Sequence, residues 1–391
     1  MTAANSLNKI IYADNVATTK IDDDALALMT DLQKNFFANP STTYRLSRPL
    51  KKILRESREK IAACINAEPK EIIFTSGGTE SDNWAIKSAV LAHLNECPNI
   101  ITSAIEHKAI LNSCAAMENL GCSVTKLPVD KFGTVNPNDL QKKILPQTKI
   151  VSVMLANNEV GTIQPVKSLA EIAHASGKIF HTDAVQAVGH IPIDVKLLGV
   201  DMLSASAHKF NAPKGIGFLY VRDGLKISPY IDGGSQEFSR RAGTENVPAI
   251  AAMALALEKN CRDINQTAEK LSACAKILLE CLQNNGVDFI LNGGENRLPG
   301  HLSLSFKDCD GESLMHRLDL KNICVATGSA CNSQQTKISH VLQALKVPQD
   351  YIRGTIRITF GKENSYDDAK TIGNHLVKIF PPCQNQQFLI R

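Results

Sequence analysis

The 391-residue chain is poor in aromatic side chains, which make up 5% of it with a single tryptophan, and it has no long apolar run. The longest, residues 247–257, falls short of the roughly 20 residues needed to cross a bilayer, so no membrane span is expected. Cys-x-x-Cys pairs are also absent, and the eleven cysteines, an odd number, lie scattered. That excludes a disulfide framework and a zinc ribbon and predicts reduced, mostly buried thiols. Residues 1–9 lack a basic region followed by an apolar stretch, so no secretory leader is expected and the chain reads as cytoplasmic. The net charge of +4 is spread along the chain without a basic block, and direct nucleic-acid binding is not read from it. There are no internal repeats and no low-complexity segments.

What is present is an ordinary globular composition, 43% hydrophobic and 21% charged, long enough for two or three domains of roughly 150 residues. A short strand is expected over 9–13, a helix with an acidic start over 22–37, and a second helix over 50–65, where Leu50, Ile53, Leu54, Ile61 and Ile65 share a face. From Glu71 to Val221, short apolar runs alternate with helix-length stretches. They predict strands over 72–75, 100–103, 123–127, 150–155, 179–182 and 202–205. This pattern predicts an α/β fold with a mostly parallel sheet, in which ligands sit beyond the carboxyl ends of the strands. The polar motifs fall at those ends. A long helical stretch over 248–285 then leads to strands over 289–291, 302–306 and 355–360, with helices near Gly311, Lys337 and Tyr366. We assign residues 15–260 to a large domain, and 1–14 with 261–391 to a smaller α+β domain; the tail from Pro381 is expected to be poorly ordered.

The chemistry centres on Lys209, placed after a hydrophobic strand in Ser204-Ala-Ser-Ala-His-Lys and before a glycine-rich turn and strand. A Schiff-base lysine needs an amine held at a strand end, with a pKa below its free value of about 10.4. It also needs an acid facing the cofactor ring. Asp183, at the end of another strand, is the candidate acid, and Gln186 follows on the same side of a helical turn. His107, at a third strand end, is placed to stack on a ring. Ser76-Gly77-Gly78-Thr79-Glu80 joins a strand to a helix, so its backbone N–H groups and the Thr79 hydroxyl suit a phosphate at the positive helix terminus. This loop is neither a Walker loop nor a Rossmann fingerprint.

Together these stretches resemble the NifS-type cysteine desulfurases, in the class-V aminotransferase branch of fold-type I, aspartate-aminotransferase-like pyridoxal-phosphate enzymes. The matching stretches are Tyr12-Ala-Asp-Asn-Val-Ala-Thr-Thr, Phe74-Thr-Ser-Gly-Gly-Thr-Glu-Ser-Asp-Asn, Thr102-Ser-Ala-Ile-Glu-His-Lys, Asn157-Asn-Glu-Val-Gly, His181-Thr-Asp-Ala-Val-Gln, Ser206-Ala-His-Lys, Arg240-Arg-Ala-Gly-Thr-Glu-Asn and Thr327-Gly-Ser-Ala-Cys. The resemblance implies that Lys209 holds pyridoxal 5'-phosphate, Asp183 pairs with its pyridine nitrogen, His107 stacks and Gln186 holds the ring oxygen. Gly78, Thr79, Ser206 and His208 would grip the phosphate, with Thr244 reaching the phosphate of the neighbouring subunit of a homodimer. Asn158 and Arg357 would bind the substrate carboxylate, for which a guanidinium fork is suited.

Cys331 would accept sulfur from L-cysteine as a persulfide, leaving L-alanine, with Lys209 and His107 carrying protons. Its surroundings, Gly328-Ser-Ala-Cys-Asn-Ser-Gln-Gln, predict an exposed loop. The spacing to Ser339 resembles that of the longer-loop group, whose cysteine hands sulfur to a protein. Val16, Tyr44, Asn211, Ala212 and Ser235 depart from the family pattern without removing a catalytic group. The sulfur acceptor is open among iron–sulfur cluster assembly, tRNA thiolation and DNA phosphorothioation. A selenocysteine lyase or another class-V aminotransferase or lyase is the alternative enzyme. A metal protein using Cys309, Cys324 and Cys331 has no compact tetrahedral spacing, so no metal is assigned.

Overall fold

The computed structural model describes residues 9–327 and 338–380, so Cys331 and the tail from Pro381 lie outside the described residues. In chain order the strands are β1 (Ile11–Tyr12), β2 (Ile72–Thr75), β3 (Asn99–Ser103), β4 (Ser123–Leu127), β5 (Thr148–Ser152), β6 (Ile179–Asp183), β7 (Met202–Ser206), β8 (Gly217–Val221), β9 (Phe289–Asn292), β10 (His301–Phe306), β11 (Ile323–Cys324), β12 (Ala326–Thr327) and β13 (Thr355–Thr359). Seven of them form one sheet in the order β2-β8-β7-β6-β5-β3-β4. Strand β8 runs antiparallel to both of its neighbours, and every other pairing is parallel.

Strand periodicity explains why this sheet is buried on both faces. Ile72 and Phe74, Ile101, Val151, Leu203 and Ala205, and Phe218 and Tyr220 join one core, which includes Ile61 and Ala62 of the Arg48–Cys64 helix and Ile250 and Met253 of the Val247–Arg262 helix. Their neighbours Ile73, Ile100, Ile150, Met202, Leu219 and Val221 point to a second core, with Trp84 and Ile86 of the Gly78–Val90 helix and Ile110 and Cys114 of the Lys108–Glu118 helix. Successive residues of a strand face opposite sides, so one apolar run supplies both layers. Trp84 is fully buried, and its indole N–H still reaches Ser228 O at 2.9 Å.

A separate antiparallel sheet, β12-β13-β10-β9, carries its own core of Leu302, Leu304, Phe306, Ile356 and Ile358, beneath Leu278 of the Ile264–Asn284 helix and Ile372 of the Tyr366–Ile379 helix. The start of the chain joins that core: β1 pairs in parallel with β11, and Ile11 and Ala13 are buried there.

Three local expectations are corrected. Strand β5 ends at Ser152, not at Leu155, because the Met154 N–H turns to the Glu106 carboxylate at 3.0 and 3.1 Å. The long helix over 248–285 is two, broken at Asp263, whose backbone (φ −98°, ψ 11°) leaves the helical range between Arg262 and Ile264. The first strand keeps only two residues, since β11, its partner, is itself two residues long.

Candidate active site

The chain leaves β2 through Ser76 and Gly77. Gly77 has φ 148° and ψ −176°, a region open to glycine, and it starts the Gly78–Val90 helix without any side-chain cap. An uncapped helix start presents backbone N–H groups and a positive dipole end. The turn is pressed against the ends of β6 and β7. A Cβ on Gly78 would lie 2.5 Å from Val185 Cγ2, and one on Gly77 would lie 3.4 Å from Ser206 Oγ. On β8, a Cβ on Gly217 would come within 2.7 Å of Gly77 Cα. Thr79 is the second residue of the helix, and its carbonyl accepts from Asn83 Nδ2 at 2.9 Å.

Asp183 closes β6, buried, with Oδ1 accepting the Val185 N–H at 2.9 Å. Burial pushes its carboxyl above the usual range, against the pull of His107, the Val185 N–H and Lys209. A ligand atom each of Asp82, His107 and Asp183 lie within 4.8 Å of one another. His107 begins the Lys108–Glu118 helix as its cap: Nδ1 accepts the Ala109 N–H at 3.1 Å, so a neutral ring carries its proton on Nε2.

Below Asp183 sits a second layer that the motifs contain but to which no role was assigned. Asp82, one turn into its helix, is 1% exposed, and its Oδ1, 3.8 Å from His181 Nε2, has no hydrogen-bond partner among the described residues. His181 spans the hydroxyls of Ser152 and Ser204 at 2.8 and 2.9 Å, and burial pushes its pKa down to about 3, which keeps it neutral. Burial, followed by the nearby Asp183, pushes the Asp82 carboxyl well above its ordinary range. Two close buried carboxyls each disfavour the other's ionised form. Nothing local in the sequence marked Asp82, because its neighbours come from other strand ends.

Lys209 stands in the Ala207–Lys209 turn that follows β7, and its Nζ donates to Val16 O at 2.6 Å and Ala17 O at 2.8 Å. Gln186, in the helical turn after Asp183, reaches the same Val16 carbonyl at 3.3 Å. His208 Nδ1 lies 3.1 Å from Thr18 Oγ1, and burial, with Lys209 and Lys214, holds its pKa at about 4. Residues 16–19 therefore lie alongside the lysine motif.

On β13, Arg357 is 7% exposed; its Nη2 donates to Asp14 Oδ1 at 2.7 Å and its Nη1 to the Asn158 carbonyl at 3.1 Å, so the two expected substrate residues do meet. The turn holding Asn158 is fixed by Asn157 Oδ1, which accepts from the N–H groups of Glu159 and Val160 at 2.8 and 3.0 Å. Thr244 is exposed on the loop ahead of the Val247–Arg262 helix. That loop is tied to the phosphate-type turn through Arg241, whose Nε and Nη2 reach the Glu80 carboxylate at 2.9 and 3.1 Å.

The donor set fits the cofactor implied by the sequence. An uncapped helix start with Ser206 beside it suits a phosphate, a buried carboxylate suits a ring nitrogen, and an amine stands at the next strand end. The Gly78 position is already filled by Val185, so the backbone of this turn, without a Cβ, is what a phosphate would meet.

The family model described as aminotransferase class-V matches residues 11–372. The cysteine desulfurase IscS of Methanosarcina thermophila is 44% identical over 378 residues, covering 97% of this chain and 94% of that protein. Among solved structures, a NifS-like protein superposes with a TM-score of 0.89 at 36% identity, covering 95% of this chain and 99% of that one. A structure titled SspA in complex with cysteine gives a TM-score of 0.81 at 34% identity, with 90% and 98% covered.

Proposed function

Since the chain belongs to the class-V aminotransferase family and is a pyridoxal-phosphate-dependent cysteine desulfurase, we propose that Lys209, Asp183, His107 and Cys331 carry its reaction on L-cysteine. The observation that supports this most is the convergence of Lys209 Nζ, the buried Asp183 carboxylate and the His107 ring at the carboxyl ends of β7, β6 and β3. When bound, pyridoxal phosphate supplies an electron sink for the substrate α-carbon. Asp183 would face the ring nitrogen, with Asp82, pushed toward its neutral form by burial and by Asp183, behind it. Gly78, Thr79, Ser206 and His208 hold the phosphate, Gln186 the ring oxygen, and His107 Nε2 and Lys209 Nζ take and return protons.

Arg357 and Asn158 receive the substrate carboxylate, an assignment supported by the buried Nε of Arg357, which has no hydrogen-bond partner among the described residues. Cys331 Sγ, as thiolate, bonds to the substrate sulfur. The substrate Cβ–S bond breaks with its electron pair on carbon, and a proton delivered there completes L-alanine. The persulfide left on Cys331 passes its outer sulfur to an acceptor protein, for cluster assembly, tRNA thiolation or DNA phosphorothioation. The protein acts as a cytoplasmic homodimer with Thr244 serving its neighbour's phosphate.

With sulfur-labelled L-cysteine, wild type is expected to retain label that a reductant releases, and Cys331→Ala to form no alanine and retain none. Lys209→Ala should lose the visible absorption of the bound cofactor. Wild-type turnover by Cys331→Ala would remove that residue from the reaction. Faster turnover of selenocysteine with no labelled persulfide would favour the lyase reading.

A further inference from the structure

Residues 12–19 form one of the matching stretches, yet its motif assigned it no role. The structure shows where it runs. After β1 it passes beside β13, with the Asn15 N–H on Thr359 O at 3.3 Å and the Val16 N–H on Thr359 Oγ1 at 3.1 Å. This places Asp14 against Arg357 and, two and three residues later, the Val16 and Ala17 carbonyls against Lys209 Nζ. A single short stretch of chain therefore touches the Lys209 amine through its backbone carbonyls and the guanidinium through the Asp14 side chain.

Two of the five guanidinium N–H groups of Arg357 are committed, one to Asp14 and one to the Asn158 carbonyl. Partners on both terminal nitrogens fix the plane of the group as well as its place. The Arg357 side chain is 9% exposed and that of Asp14 is 18% exposed, so without Asp14 the buried cation would have no ion pair among the described residues, the Glu159 carboxyl acting on it only at longer range. A rotamer-rich side chain ordered in advance does not lose that freedom when the ligand arrives.

We propose that Asp14 is a positioning residue for substrate: its carboxylate holds Arg357 so that the open N–H groups, Nε included, meet the α-carboxylate at a fixed distance from Lys209. This rests on the reading of Arg357 as the carboxylate ligand, and the two fail differently. In the holoenzyme, calorimetry compares L-alanine with ethylamine, which lacks the carboxylate, alongside kcat and KM for L-cysteine. Asp14→Asn is expected to weaken L-alanine binding and raise KM about tenfold, with ethylamine binding and kcat little changed. Asp14→Glu, which keeps the charge, should recover most of the loss, and unchanged melting and cofactor absorption would exclude misfolding. If Asp14→Asn binds L-alanine like wild type while Arg357→Gln does not, or if Asp14→Glu is as weak as Asp14→Asn, the role of Asp14 is overturned. If Arg357→Gln keeps the preference for L-alanine over ethylamine, the reading of Arg357 itself falls.

Discussion

At the scale of single residues, the site rests on carboxyls that burial keeps protonated. Glu106, adjacent to His107, is 1% exposed; its Oε1 meets the Ser103 hydroxyl at 2.5 Å and the Met154 N–H at 3.0 Å. Burial raises its pKa from an ordinary 4.5 to about 8, against those hydrogen bonds. Because the folded value stands above the unfolded one, the folded protein holds an extra proton between about pH 4.5 and 8. The stability this confers is complete below that window and is lost as pH rises through it. Glu106→Gln keeps an acceptor for both donors and removes the titration. Denaturant unfolding at pH 5 and pH 8 should show wild type losing stability with rising pH and the variant losing clearly less. Equal losses would place the dependence elsewhere.

At the scale of elements, the close approach of β8 to the β2 turn decides the site's shape. A side chain on Gly217 would run into the Ala205 carbonyl and lie 2.7 Å from Gly77 Cα, and neither is the movable end of a side chain. Gly217→Ala should push the phosphate turn outward, with cofactor retention in dialysis falling about tenfold while the far end of the sheet remains folded. The sequence carried most of this level. Six of the seven strands were legible because short apolar runs alternate with helix-length stretches, and the seventh as the strand after the glycine-rich turn; Lys209, Asp183 and His107 were singled out because each follows such a run. Strand β5 was overextended because Val153, Met154 and Leu155 are as apolar as the strand itself; Val153 and Leu155 still donate to His181 and Asp183 of β6, but the Met154 N–H meets the distant Glu106 carboxylate in place of a strand. Asp14 could not be assigned by any local pattern, since Arg357 lies 343 positions away.

At the scale of the whole molecule, the Thr244 loop is exposed and yet tied to the Ser76–Glu80 turn by Arg241 and Glu80, which is consistent with the proposed shared-site dimer. Lys209→Ala and Thr244→Ala chains, co-expressed, would form mixed dimers in which one site has both residues and the other has neither. Activity should rise to about a quarter of wild type, from near zero for Lys209→Ala alone, given random pairing. No gain over the separately purified variants would mean that each chain completes its own site. The core around Leu304 and Ile356 is distinct from the two cores of the large sheet, whereas Ile105, Met154 and Val160 pack with Val341, Leu342 and Ile352 across the expected boundary between 15–260 and 1–14 with 261–391.

That crossing stretch also sets an order of assembly during synthesis. Asp14 leaves the ribosome well before its partner Arg357, 343 positions further along, and before the β13 edge that aligns it. The large sheet is complete by Val221 and can form early, but the N-terminal strand must wait for β11 and β13 before it has a place. The Lys209 amine, which donates to Val16 and Ala17, waits with it. A chain that has folded its large sheet but has not yet made β13 therefore lacks the Asp14–Arg357 pair to which the substrate carboxylate is proposed to bind.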